Sequence, residues 1–88
     1  MNLVEQLGSD ERLSSSTRLV GAAILRQIDP LTGRARVTAE QLAGTLDVAV
    51  GTVRKATSVL TVHNYIRKIK VGRNVEYLPV LEERELNG

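Results

Sequence analysis

The chain has no cysteine, no tryptophan and no phenylalanine, and Tyr65 and Tyr77 are its only aromatic residues besides His63. The missing thiols exclude disulfides and thiolate metal sites. His63 is the single histidine, and nothing near it supplies a second ligand for a metal cluster. So few rings argue against a single-strand or RNA binder, because such proteins stack several bases on exposed aromatics. No hydrophobic run approaches the ~20 residues a membrane helix requires, and the N-terminus lacks the basic-then-apolar plan of a signal peptide. The expectation is a soluble, cytoplasmic protein with no membrane partner.

Catalytic patterns are missing too. No glycine-rich phosphate loop is present, nor a carboxylate pair in separated environments. The run Ser14-Ser15-Ser16-Thr17 has no paired base and reads as a helix start rather than a nucleophile store. An enzyme is not expected, and no cofactor or small-molecule effector is evident.

The most telling absence is local. From Val48 to Val75 the chain carries six Lys and Arg side chains and not one carboxylate, while the other sixty residues hold six basic and ten acidic groups. The formal charge of +2 is therefore +6 on one stretch set against −4 elsewhere. Positive charge so confined is the electrostatic footprint of a nucleic-acid binder, and the shortage of rings favours duplex DNA.

A chain of 88 residues fits one domain, and at this length only somewhat over ~60% of the unfolded surface is buried on folding. Leu3, Val4 and Leu7 share one side of a short helical turn ended by Gly8, with no obvious core slot. Residues 1–15 are read as an N-terminal segment that offers a homodimer contact, with folding back onto the same domain as the alternative. From Thr17, the set Leu19, Val20, Ala23, Ile24 and Ile28 follows the spacing of a core-facing helix. Asp29-Pro30-Leu31-Thr32-Gly33 stops it. Arg34 to Val37 is a candidate short strand, and Thr38-Ala39-Glu40-Gln41 matches a capping box. The helix so opened turns Leu42, Ala43 and Leu46 inward, and Asp47 follows as a turn residue that tolerates left-handed geometry.

A further helix is predicted from Val50 to about Val62, ended by His63-Asn64. Steps of 100° place Val53, Ala56 and Leu60 on one side and Gly51, Arg54, Lys55 and Ser58 on the other. Small residues on such an outer strip let a helix approach base edges, and Arg pairs with guanine in two-point geometry. Ile66–Val71 and Val75–Val80 then read as strands around Gly72-Arg73-Asn74. Ile69 and Val71 alternate with Lys68 and Lys70, the pattern of a ribbon with one wet face. Cations there neutralise phosphates, and an Arg at the tip suits a narrow minor groove. Tyr65 and Tyr77 read as core or core-edge residues, and residues 81–88 as a solvated acidic tail.

Residues 38–78 resemble a winged helix-turn-helix, closest to the DNA-binding domain of GntR-type transcriptional regulators, with MarR-type regulators similar. The motifs Leu42-Ala43, Leu46-Asp47-Val48 and Gly51-Thr52-Val53-Arg54-Lys55-Ala56 fall where that family has its turn and recognition helix. Tyr65-Ile66 and Val71-Gly72-Arg73-Asn74 fall at the end of that helix and the wing. The resemblance implies a mainly α fold: a three-helix core with a small antiparallel sheet, spanning residues 16–80. It implies that Val50, Gly51, Thr52, Arg54, Lys55 and Ser58 face the major groove. Thr38 and Gln41 would then lie near phosphates at the preceding helix start, and Arg67, Lys68, Lys70, Arg73 and Asn74 would act from the wing.

The chain departs from the family at Asp47, where Gly is usual, and at Ala49-Val50, where a Ser cap followed by a polar residue is common. Loss of such a cap costs about 1 kcal/mol of helix stability. No effector domain is expected after the wing. The function so implied is sequence-specific duplex-DNA binding by a small transcriptional regulator, a repressor acting by occupancy and paired as a homodimer. Alternatives are a replication or plasmid- or phage-maintenance protein and a winged-helix module that docks protein.

Overall fold

The computed structural model describes residues 2–81. Among them are four helices and a four-stranded antiparallel sheet, a small α/β domain. The expected acidic tail lies, beyond Leu81, outside the described residues. Among the described residues no helix is long and apolar enough to cross a membrane.

The first helix, α1 (Leu3–Ser9), starts where the Asn2 side chain accepts from the Glu5 amide at 2.8 Å. It runs through Gly8 rather than ending there. The expected free stripe has a slot after all. Leu7 is 1% exposed within the core and Leu3 packs half-buried against it, while Val4 stays at the surface. The slot exists because α2 (Ser15–Arg26) carries Gly21 opposite: a Cβ there would stand 2.8 Å from Leu7 Cδ2 and 3.1 Å from Leu60 Cδ2. Leu3, Leu7 and Leu13 therefore pack on the domain itself.

Ser14 caps α2 by accepting from the Thr17 amide at 3.1 Å, and Val20, Ala23 and Ile24 face inward as the spacing requires. Two members of the expected set differ, although Ile28 still packs half-buried against the core. Leu19 is surface-exposed, and Ile28 belongs to a strand because the helix ends at Arg26.

That strand, β1 (Ile28–Asp29), pairs with β2 (Arg34–Ala35), so Asp29–Gly33 is a hairpin turn as well as a helix stop. Asp29 holds the turn through Oδ1, which accepts from the Leu31 amide at 2.8 Å, and Gly33 takes φ 72°. After β2, Thr38 opens α3 (Ala39–Leu46) with both halves of the predicted capping box formed. Asp47 adopts φ 55°, ψ 50°, the left-handed turn expected of it, and α4 (Val50–Val62) follows with the expected bounds and no side-chain cap at Ala49.

Asn64 takes φ 61° and the chain enters β3 (Ile66–Val71), which pairs along its length with β4 (Asn74–Pro79). The turn is the dipeptide Gly72-Arg73, with Gly72 at φ 60°. Positive φ at the first of two loop positions is the type II′ arrangement, whose twist suits antiparallel strands. Asn74, expected in the loop at positive φ, is instead the first residue of β4 opposite Val71. The sheet order is β1-β2-β4-β3.

Register settles which face the lysines occupy. Lys68 lies opposite Tyr77 and Lys70 opposite Val75, and directly opposed residues share a face. Tyr77 also opposes Ala35, which is fully buried, so Lys68 and Lys70 project from the sheet face that covers the helices. Ile69 and Val71, expected to be the dry side, lie on the other face. Lys68 and Lys70 are exposed as the alternation predicts and Ile69 is half-buried, but Val71 is exposed as well. On that outer face the Glu76 side chain is 6% exposed and bound by Arg34 at 3.4 Å and Arg36 Nε at 2.9 Å. A carboxylate so enclosed persists because it is paired.

Candidate nucleic-acid interface

Three separate segments converge on one side of the domain. The α3 start contributes Thr38 and Glu40, α4 contributes Arg54 and Ser58, and the β3–β4 hairpin contributes Lys68, Arg73 and Asn74. They line a groove of about 470 Å³ whose wall includes Tyr77. The capping box fixes where α3 begins, and the left-handed Asp47 sets the angle at which α4 leaves it. Val53, Ala56 and Leu60 anchor α4 in the core, each 2% exposed or less. That anchoring turns the opposite strip, Gly51, Arg54, Lys55 and Ser58, to solvent, as the periodicity predicts. Nothing stands within 4 Å of a Cβ placed on Gly51, so the helix surface there is open.

Not every predicted site residue joins this groove. Val50 and Thr52 are half-buried, and Val50 packs against the core instead of standing clear at the helix entrance. Thr52 and Lys55 face a second groove of about 390 Å³ on the other flank of α4, shared with Arg12 and Ser16. Gln41 is exposed, with its side-chain oxygen accepting from the Thr38 amide at 2.9 Å. Lys70 is exposed further along the hairpin on the groove-side face. Arg67 projects from the opposite face of the sheet, because it opposes Leu78 rather than Tyr77.

Of the groove residues outside the predicted set, two carry charge or a polar ring. Glu40 Oε2 accepts from Arg54 Nη2 at 2.7 Å, with the two side chains 63% and 62% exposed. The stretch that lacks carboxylates in sequence thus acquires one in space, from the preceding helix. The available signal was its place in the first turn of a capped helix lying across α4. Tyr77 is the other. Burial pushes its phenol above the ordinary value, with Arg54 pulling down and Glu40 pushing up by their charges. Its alternation with Glu76 inside a strand was the signal for an inward ring.

The Ser58 and Thr57 hydroxyls both donate to the Arg54 carbonyl, at 3.1 and 2.9 Å, which leaves their oxygens able to accept. Among the described residues no three His, Asp or Glu side chains come together as a metal site. What the surface offers is cations on a helix and a ribbon, hydroxyls between them, and one acid. Chemically, such a set offers donors to anionic oxygens and one acceptor to an amino group. Comparison of the chain with protein-family models, curated proteins and solved structures gives no match.

Proposed function

We propose that this protein binds duplex DNA in a sequence-dependent way and acts as a small transcriptional regulator, a repressor by occupancy. In this reading the domain is a winged helix-turn-helix. The pair α3 and α4 is the helix-turn-helix, α4 enters the major groove, and the β3–β4 hairpin is the wing lying along the backbone. The observation that carries it is the convergence of Arg54 and Ser58 with Lys68 and Arg73 around one groove, from segments remote in sequence. Lys68 and Lys70 on the hairpin face turned toward the helices strengthen it, since a single backbone running between α4 and the hairpin meets both. Lys55 on the far flank of α4 suits the opposite strand's phosphates.

One such module buries only ~600–1,000 Å² on DNA. Pairing of two copies on a two-fold site is therefore part of the proposal, although Leu7 is already used within its own chain. The experiment is selection from a random duplex pool, followed by a salt titration of binding to the selected and to unrelated duplexes. The proposal expects an enriched sequence and a log–log slope of several units. Equal, salt-insensitive or absent binding sinks it, and leaves a protein-docking module as the reading to pursue.

A further inference from the structure

We infer that Glu40 is a specificity-determining residue, which suppresses binding to indiscriminate duplexes and reads a cytosine amino group beside a guanine held by Arg54; this rests on the DNA-binding reading above. Glu40 does not hold the fold together. The α3 start is capped by Thr38 and Gln41 through their own reciprocal bonds. The ion pair with Arg54 has both partners about two-thirds open to solvent, where such pairs add little to stability. As a first-turn acid Glu40 gains a little from the α3 dipole, as an acid elsewhere in that turn would, but only at this position does its carboxylate face Arg54 on the groove.

Its effect on a nucleic acid depends on what is opposite. Every duplex brings phosphates, and a carboxylate among Arg54, Lys68 and Arg73 lowers the attraction for all of them alike. Glu40 also occupies the Arg54 guanidinium at 2.7 Å, so a base that engages Arg54 must compete with it. Both penalties are offset where the base edge satisfies both groups. Guanine O6 and N7 accept from Arg, and the cytosine N4 amino group donates to a carboxylate. These atoms lie side by side in the major groove, on one G·C pair or on neighbouring pairs. Thymine O4, an acceptor, meets the carboxylate with repulsion. The pair is thus selective by rejection as well as by attraction.

Full-length parent and Glu40→Gln proteins would be titrated by fluorescence anisotropy with a random-sequence duplex, the selected duplex, and that duplex with the critical G·C pair changed to A·T. Glu40→Gln should tighten random-duplex binding roughly three- to tenfold, with a salt slope steeper by up to ~0.9. Its preference for G·C over A·T should fall on the order of tenfold. Glu40→Ala should lose the same preference, which separates the carboxylate from any new amide contact. Because Arg54 is held by Glu40, the cost of Arg54→Ala on the selected duplex should shrink when Glu40→Gln is also present. Equal shifts on all three duplexes, or none, overturn the role of Glu40 while duplex binding stands. If the parent binds no duplex, the DNA-binding reading and this inference fall together.

Discussion

The hydroxyl of Tyr65 lies 2.9 Å from Asp10 Oδ2, joining two residues 55 positions apart in the chain. The same hydroxyl is 3.1 Å from the Gln6 carbonyl. Tyr65 is 1% exposed, so its polar end must be satisfied inside the fold, and α1 and the α1–α2 connection supply the acceptors. The link ties the N-terminal segment to the start of the hairpin. Tyr65→Phe should cost about 1.5–3 kcal/mol, the range for a hydrogen bond to a charged group, read from the urea midpoint at constant slope. An unchanged midpoint would mean the link contributes nothing.

Asp10 makes stability depend on acid. Its carboxyl is held well below the ordinary value, first by the Arg12 side chain at 2.6–2.9 Å, then by Tyr65, against an opposing push from burial. A depressed folded value means the stabilisation is complete above the ordinary carboxylate range. It is lost as pH falls from about 4 toward the lower folded value. Thermal melts from neutral pH downward should show this decline, and Asp10→Asn should start less stable but fall less steeply. Parallel acid limbs for the two proteins would refute the assignment.

Leu7 is the test of whether residues 1–15 belong to the core. Leu7→Ala removes a side chain enclosed by Gly21 and Leu60 and should cost about 2–5 kcal/mol, as buried leucines do. Deleting residues 1–8 should accordingly lower the melting temperature and not merely alter the oligomeric mass. A truncated chain as stable as the parent would place Leu7 outside the cooperative core.

Arg54 and Lys70 should differ in kind. Arg54→Ala should lose about 1–3 kcal/mol on a selected site and relax preference at one base position. Lys70→Ala should weaken all duplexes alike and flatten the salt slope by ~0.9. Both side chains are exposed, so circular dichroism should show intact folding in each case. Parental binding by both folded variants would move the interface elsewhere.

Two glycines separate folding from function. Gly44 and Gly51 both lie on helices, with nothing within 4 Å of an added Cβ. Gly44→Ala should raise stability by about 0.5–1 kcal/mol, because alanine loses less entropy on entering a helix. Gly51→Ala should be neutral or stabilising too, yet weaken binding to the selected duplex by crowding the base edges. Equal DNA affinity for Gly51→Ala and the parent would show that α4 does not approach bases at that point.

Much of this was legible because it is written locally. A capping box, a residue fit for left-handed geometry, and helical spacing from Val50 to Val62 all depend on neighbours a few positions away. What escaped depends on partners far along the chain. Ile28–Asp29 is a two-residue strand, too short to carry a period, and it exists only because Ala35 lies opposite. That the exposed lysines share the sheet face turned toward the helices is decided by the register of Lys68 on Tyr77, which the alternation alone does not contain. The slot for Leu7 is an absence on another helix, at Gly21. Glu40 reaches Arg54 only through the way two helices cross. In each case the deciding term is tertiary packing, which no window of sequence contains.

The β3–β4 hairpin is fixed at one end. Ile66 and Tyr77 are buried at its base and Glu76 is clasped by two arginines, whereas Val71, Val75 and Arg73 at the far end are exposed. Mechanically it is a cantilever, stiff at the root and compliant at the tip. The clasp on Glu76 ties β4 to Arg34 on β2 and to Arg36 in the segment from which α3 springs. The ribbon is thus the arm, and the Glu76 clasp with its two part-exposed arginines is the mount that joins it to the rest of the sheet.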